Sequence, residues 1–399
     1  MTSTVPIPQG IPLQRVQPFD PPTDLTALRD ERPVSRMIYP DGHEGWLVTG
    51  YDAARAVLAD VRFSSRRELI RSPISLDVPP QRLEPAPPGA MIVTDPPEHT
   101  RYRRLLMGQF TVRRMNQLTP RIQQITDDHL AAMRKEGPPA DLVRSFALPI
   151  PSLVICELLG VPYETRDEFQ RESAVLFDLH IKAEQRQAAA TKLERFLQDL
   201  VEHKRAEPGD DLLGGLVTGS DLTDEELTNI GLLLLIAGHE TTANMLALGT
   251  FALLQHPEQM AALRSEPELA VNAVEELLRY LSIIHIGPMR AATEDVEIEG
   301  ELIRAGESVT VSVPGANWDS ARFPEPEQLD ITRRATGHLS FGHGVHQCLG
   351  QQLARVEMRI AYPALLREFP TLGLAVPARE VPLRTDMAIY GVHRLPVTW

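Results

Sequence analysis

Apolar residues recur along most of this chain at helical spacing, in runs separated by proline and glycine breaks. The longest run extends from Thr223 to Gln255. Thr223-Asp-Glu-Glu226 opens it as a capping box, and His256-Pro257 closes it. At 1.5 Å per residue such a helix is about 48 Å long, enough to cross a whole domain. Earlier patterns predict helices at Leu25–Arg29, Tyr51–Leu58, Pro96–Phe110, Val112–Lys135, Ser145–Leu159, Glu164–Phe177, Ala183–Arg205 and Asp211–Val217. A further helix is expected from Ser265 to Leu281, and another from Leu349 to Glu368, kinked at Pro363. Period-two alternation is confined to short stretches. It marks Gly45–Thr49 and the positions Val296, Ile298, Leu302, Val309, Val311 and Val313, with turns at Gly300 and Ala305-Gly306. Asn317–Gly344 reads as irregular coil and Leu372–Trp399 as short strands. The pattern predicts one mainly α domain over residues 1–399, with small β-sheets and a long central helix.

Composition narrows the function. An apolar fraction of 43% fills a large core, and a net charge of −14 disfavours nucleic acid or an anionic membrane as partner. Two cysteines, Cys156 and Cys348, form no disulfide framework and suit a reducing cytoplasm. The N-terminal stretch shows no signal-peptide pattern, and Ile230–Gly238 is too short an apolar run to span a membrane. A cytoplasmic chain without a membrane anchor is expected.

Candidate chemistry is densest at Phe341-Gly-His-Gly-Val-His-Gln-Cys-Leu-Gly350. Its glycines permit tight turns and close approach to a flat object. Cys348 stands where a helix begins, where backbone N–H groups favour a thiolate. Such a loop can mount a heme iron. Two other readings stand beside it: a small buried apolar cysteine, and a zinc site using His338, His343, His346 and Cys348.

The spacing Phe341-x-Gly-x-Val-His346-x-Cys348-x-Gly350 resembles the heme loop of the cytochrome P450 monooxygenases. The resemblance implies a triangular-prism fold, heme b as cofactor and Cys348 as its iron ligand. It also places Phe341, Gly342 and Gly350 against the heme. His99, Arg103, Arg290 and His346 would hold the two propionates. Ala237-Gly238-His239-Glu240-Thr241-Thr242 matches the family's oxygen-binding motif. There Thr241 would donate a hydrogen bond to the reacting dioxygen and Glu240 would carry protons; Ala237 and Gly238 would lie on the heme. From the residues alone, this motif is also consistent with a bent helix whose polar groups are satisfied. Glu276-Leu-Leu-Arg279 matches the family's structural ion pair. Gln328 stands where its third, cationic partner usually lies, and Arg333 is the candidate replacement.

By the same resemblance the chain is a monomeric, soluble bacterial enzyme. It would take electrons from a separate ferredoxin and ferredoxin reductase and oxidise a hydrophobic small molecule with O2. Arg104, Arg113, Arg355 and Arg359 would form the ferredoxin surface. Leu234, Ala237, Gly238, Thr242, Ile283, Ile284, Ile286, Met387 and Ile389 would line the substrate pocket, with Leu69–Val93 and Phe177–Lys182 as a lid. A heme-thiolate sensor without turnover is the alternative, and the intact Glu240-Thr241 pair argues against it.

Overall fold

The computed structural model describes residues 5–75, 84–162 and 165–399. Its axis is the helix Asp224–Gln255, 32 residues long. The expected capping box is formed: Thr223 Oγ1 accepts from Glu226 N–H at 3.2 Å, and the Glu226 carboxylate accepts from Thr223 N–H at 2.8 Å. Every residue from Thr242 to Leu253 is buried, so this half is mostly apolar all round because it has neighbours on all sides. Helices Pro149–Leu159, Ala183–Ala206, Gln351–Glu368 and Ala270–Leu281 pack around it. It is the one described helix long and apolar enough to cross a membrane, and 67% of its apolar window is buried inside the fold.

Among the described residues the strands form three small sheets. The largest runs in the order Val34–Ile38, Glu44–Val48, Ser308–Val311, Met289–Ala292, Phe63–Ser64. Its second and third strands pair parallel, and the other neighbours pair antiparallel. Ala140–Asp141, Pro396–Thr398 and Gly373–Leu374 make a second sheet. Val296–Ile298 and Glu301–Ile303 form a hairpin in which Glu299 and Gly300 both take positive φ, as two-residue hairpins require.

Three expectations are corrected. Val313 starts a short helix, Val313–Asn317, rather than continuing a strand, because Ser312 caps Gly315 N–H and Pro314 sits in the first turn. Pro257–Ser265 is a helix of its own: the proline that ends the central helix also starts the next one. Val34–Ile38 and Met289–Ala292 are strands that too few alternating apolar residues announced. The last helix, Gln351–Glu368, continues through Pro363.

The coil after Asn317 is held by charge. Arg279 and Glu276 have no exposed side-chain surface. Arg279 meets both Glu276 oxygens at 2.8 Å and donates to the carbonyls of Asn317 and Gln328 at 3.1 and 3.4 Å. Arg333 Nε adds a third cationic donor to Glu276 at 3.1 Å, and Asp330 N–H a further donor at 3.2 Å. Gln328 therefore contributes its carbonyl, and Arg333 supplies the missing charge. Asn317 extends the frame: its Nδ2 donates to Ser282 and Ser340 hydroxyls, and its Oδ1 accepts from Leu339 N–H.

Glu276→Gln should destabilise the fold by about 3–5 kcal/mol, because two arginines then lose their buried counter-charge. Arg333→Met should cost less, about 1–3 kcal/mol, since Arg279 keeps Glu276 paired. Urea unfolding of both variants checks the order, and equal stabilities would contradict it.

Candidate functional site

A cavity of about 470 Å³ lies between the central helix and the cysteine loop. Gly342 and Gly344 of the loop take φ of 67° and 72°. At Gly344 a Cβ would sit 2.3 Å from the Leu58 carbonyl, so only glycine lets the loop lie on that helix. Cys348 N–H donates to the Phe341 carbonyl at 2.8 Å, closing the loop, and the helix Gln351–Glu368 follows at once. Cys348 is exposed to the cavity rather than to bulk solvent. Burial pushes its thiol above the ordinary value; the N–H groups of Gly350 and Gln351 and the charges of Arg103 and Arg355 pull the other way. The helix-start argument identified the second effect but not the first, which is the larger.

Behind the loop stands a second acid, Glu275, that the sequence reading passed over. Arg355 binds it bidentately at 2.7 and 2.9 Å, His338 at 3.2 Å and Arg359 at 3.4 Å. The Arg355 guanidinium also lies 4.5 Å from the centre of the Phe341 ring. Arg355 and Arg359 are thus engaged with Glu275 within the protein, Arg359 while still partly exposed. His338 Nε2 is held by the same acid. Among the described residues no three His, Cys, Asp or Glu side chains converge as a metal-holding group.

His99, Arg103, Arg290 and His346 meet on one wall of the cavity. The His99 and His346 rings are 4.2 Å apart. Both His99 ring nitrogens are buried without a partner, Arg290 Nη1 donates to the Met289 carbonyl at 2.8 Å, and none of the four residues forms an ion pair among the described residues. Burial, then the nearby Arg290, His99 and Arg103, push His346 down to about 3; burial pushes Arg290 down to about 10. Asp95 is the one acid whose charge reaches His99 and Arg290, so four cationic or donor side chains share little counter-charge, which fits a ligand that brings carboxylates of its own.

The opposite wall is the central helix. Leu234, Ala237, Gly238, Thr241 and Thr242 line the cavity. Thr241 Oγ1 donates back to the Ala237 carbonyl at 2.9 Å. A Cβ at Gly238 would come 2.8 Å from Ile155 Cδ1, so glycine also serves the packing behind it. Glu240 does not face the cavity. It is buried behind the helix, paired with Arg384 and within 3.3 Å of Asn244 Nδ2. His239 is buried too: its Nδ1–H donates to the Leu235 carbonyl at 2.7 Å, and its Nε2 faces Ser173 Oγ at 3.1 Å. It ties the central helix to the helix Arg166–Phe177, a role that its sequence position did not announce.

The proposed substrate residues divide. Ile283 and Ile284 line the cavity; Ile286, Met387 and Ile389 do not. Met387 and Ile389 are occupied in backbone pairing with Asp178 and Ile284, and their side chains are buried. Of the expected lid, Ile70, Met91, Ile92 and Val93 reach the cavity, and residues 76–83 lie outside the described residues. Phe177–Lys182 does not line it; this segment is held to the tail, where Ala388 N–H donates to the Phe177 carbonyl at 2.7 Å. Phe110, Ile155, Leu233 and Met245 add apolar wall that no motif marked.

Comparison with known proteins agrees with the fold. The family model described as Cytochrome P450 matches residues 176–382. Cytochrome P450 105C1 of a Streptomyces species is 54% identical over 96% of both chains. Pentalenic acid synthase of Streptomyces avermitilis is 48% identical over 100% of this chain and 99% of its own. The crystal structure of CYP105P1 in complex with filipin I superposes with a TM-score of 0.91 at 45% identity, covering 99% of each chain.

Glu275 makes the site sensitive to acid. Burial works to raise its carboxyl, but the hydrogen bonds and charges of His338 and Arg355 outweigh burial and hold it at about 2, against an ordinary 4.5. A carboxylate held below its unfolded value stabilises the fold fully above about pH 5 and loses that contribution as pH falls toward 2, here about 3 kcal/mol in all. The stability gap between wild type and Glu275→Gln should therefore shrink steadily as urea unfolding is repeated from about pH 6 down to 3. A gap independent of pH would show that Glu275 is not held as described.

Proposed function

The chain belongs to the cytochrome P450 family, and from that membership we propose that Cys348 is the iron ligand of a heme b-dependent monooxygenase acting on a hydrophobic small molecule. One observation carries the assignment: Cys348 and Thr241 open on one cavity whose side wall is the His99, Arg103, Arg290, His346 cluster, which forms no ion pair among the described residues. Heme bound there supplies dioxygen activation and transfer of one oxygen atom to the substrate, helped by electron donation from the thiolate. The four-residue cluster pairs with the propionates. An iron held there would keep Cys348 as the thiolate despite its burial.

The residues of the chain then divide the remaining work. Phe341, Gly342 and Gly350 shape the cysteine side of the cavity, and the glycines allow close approach. Thr241 turns its hydroxyl from the Ala237 carbonyl toward the cavity and donates a proton there. Glu240 serves proton delivery from behind the helix, and its pair with Arg384 must open for that. Leu234, Ala237, Ile283, Ile284, Met91 and Val93 bind substrate by burial, with few fixed polar groups. The name of one relative, a pentalenic acid synthase, and the filipin I bound in another support a terpenoid or polyketide substrate. The enzyme works in the cytoplasm with a separate ferredoxin and ferredoxin reductase. Arg104 and Arg113 are the arginines of the proposed docking surface that stay out of the Glu275 network.

Two measurements test this reading. Cys348→Ser should abolish the red-shifted Soret band of the reduced carbon monoxide complex; retention of the band removes the central assignment. Thr241→Ala should bind heme and substrate normally but release several-fold more hydrogen peroxide per electron pair, since proton donation of this kind contributes about 10²-fold or more to a step. Unchanged coupling across several substrates would place the proton donor elsewhere.

A further inference from the structure

Arg355 stands out among the arginines near the cysteine loop because it is held from four directions. Glu275 binds its Nε and Nη2, and Gln351 Oε1 accepts from Nη1 at 2.9 Å. The Gln351 carbonyl accepts from Nη1 at 3.4 Å, and the guanidinium carbon lies 4.5 Å from the Phe341 ring centre. Its side chain is only 14% exposed. Phe341 lies seven residues before Cys348 and is hydrogen-bonded to it through the backbone. The ring has His338 on another side, with centroids 5.8 Å apart, and His338 bonds the same Glu275. A long cationic side chain kept in one place at this cost in rotamer freedom is doing something other than meeting solvent.

We propose that Arg355 is a positioning residue for the Cys348 thiolate: Gln351, Phe341 and Glu275 together hold its guanidinium beside the cysteine loop, and the fixed positive charge sets how readily an iron ligated there is reduced. The inference rests on Cys348 being that ligand. The physical argument is electrostatic. Reduction adds one negative charge to the iron and its thiolate, so a nearby cation favours the reduced form and a nearby anion disfavours it. Arg355 and Glu275 therefore act with opposite signs on one equilibrium. Arg103 also faces Cys348 with its charge, but it belongs to the cluster proposed to bind carboxylates.

The opposite signs make the test. The purified heme-loaded enzyme is titrated with a chemical reductant, without ferredoxin, while the ferric and ferrous spectra are followed. Arg355→Met should shift the equilibrium toward the ferric form by about three- to tenfold at a fixed potential. Glu275→Gln should shift it toward the ferrous form, because Gln351 and Phe341 still hold the guanidinium. Arg355→Lys should fall between wild type and Arg355→Met: it keeps the charge but not the bidentate geometry. If Arg355→Met does not retain heme, the Lys and Gln variants alone decide the sign. Shifts in the same direction for Arg355→Met and Glu275→Gln, or none in any variant, overturn the proposal. A docking role alone would leave all these titrations unchanged and slow only reduction by ferredoxin. The ligand assignment is checked separately. If each variant retains the red-shifted Soret band while its equilibrium is unmoved, the positioning role fails and the Cys348 ligand stands. If wild type lacks the band, the ligand assignment fails and this proposal falls with it.

Discussion

The structure depends on a buried carboxylate with two arginines around it. Glu276 has no exposed surface, and leaving it unpaired would cost several kcal/mol. That cost makes its partners compulsory. Arg279 comes from the same helix, and Arg333 has to be delivered by a coil with little regular hydrogen bonding of its own. The coil is thereby pinned at Pro324, Glu325 and Gln328, whose carbonyls Arg333 uses for its remaining donors. Asn317, Ser282 and Ser340 carry the order onward to Leu339. Two residues later the cysteine loop begins. A charge cluster outside the cavity thus sets where the loop bearing Cys348 can lie.

Glu275 repeats the device one residue earlier on the same helix, aimed at the loop itself. Adjacent helical positions point in directions about 100° apart. Glu276 consequently faces the coil, whereas Glu275 faces Arg355, Arg359 and His338. One helix, Ala270–Leu281, organises the approach to the cysteine and the surroundings of the cysteine with two neighbouring acids. Its buried position supplies the low dielectric that makes both pairs directional.

The two walls of the cavity differ in kind. The cationic side is built from side chains with few internal partners: both His99 ring nitrogens are unpaired, and Arg290 donates to the Met289 carbonyl. The central-helix side is built from residues already satisfied: Thr241 by Ala237, Glu240 by Arg384 and Asn244, His239 by Leu235 and Ser173. Chemistry on that side has to borrow donors from existing hydrogen bonds. This keeps the helix intact through a stretch of residues that otherwise favour breaking it.

Sequence alone determined what is local. The capping box at Thr223, the glycine-rich approach to Cys348 and the Glu276–Arg279 spacing are short-range patterns in which backbone geometry and residue type agree. The resemblance carried by the cysteine loop and the Glu276–Arg279 pair, among other motifs, named the family and its cofactor. Most helices followed because 3.6-residue periodicity is written into consecutive residues. Tertiary structure decided what requires distant residues to meet. Arg333 replaces the expected partner because a coil can bring any nearby arginine to Glu276, and no periodicity records which. Glu240 turns to Arg384, 144 residues away, and Arg355 turns to Glu275, 80 residues away. Met387 and Ile389 belong to a tail whose backbone pairing takes them off the cavity wall. Side-chain direction in coils and tails is set by which neighbours pack there, and that information is absent from any window of sequence.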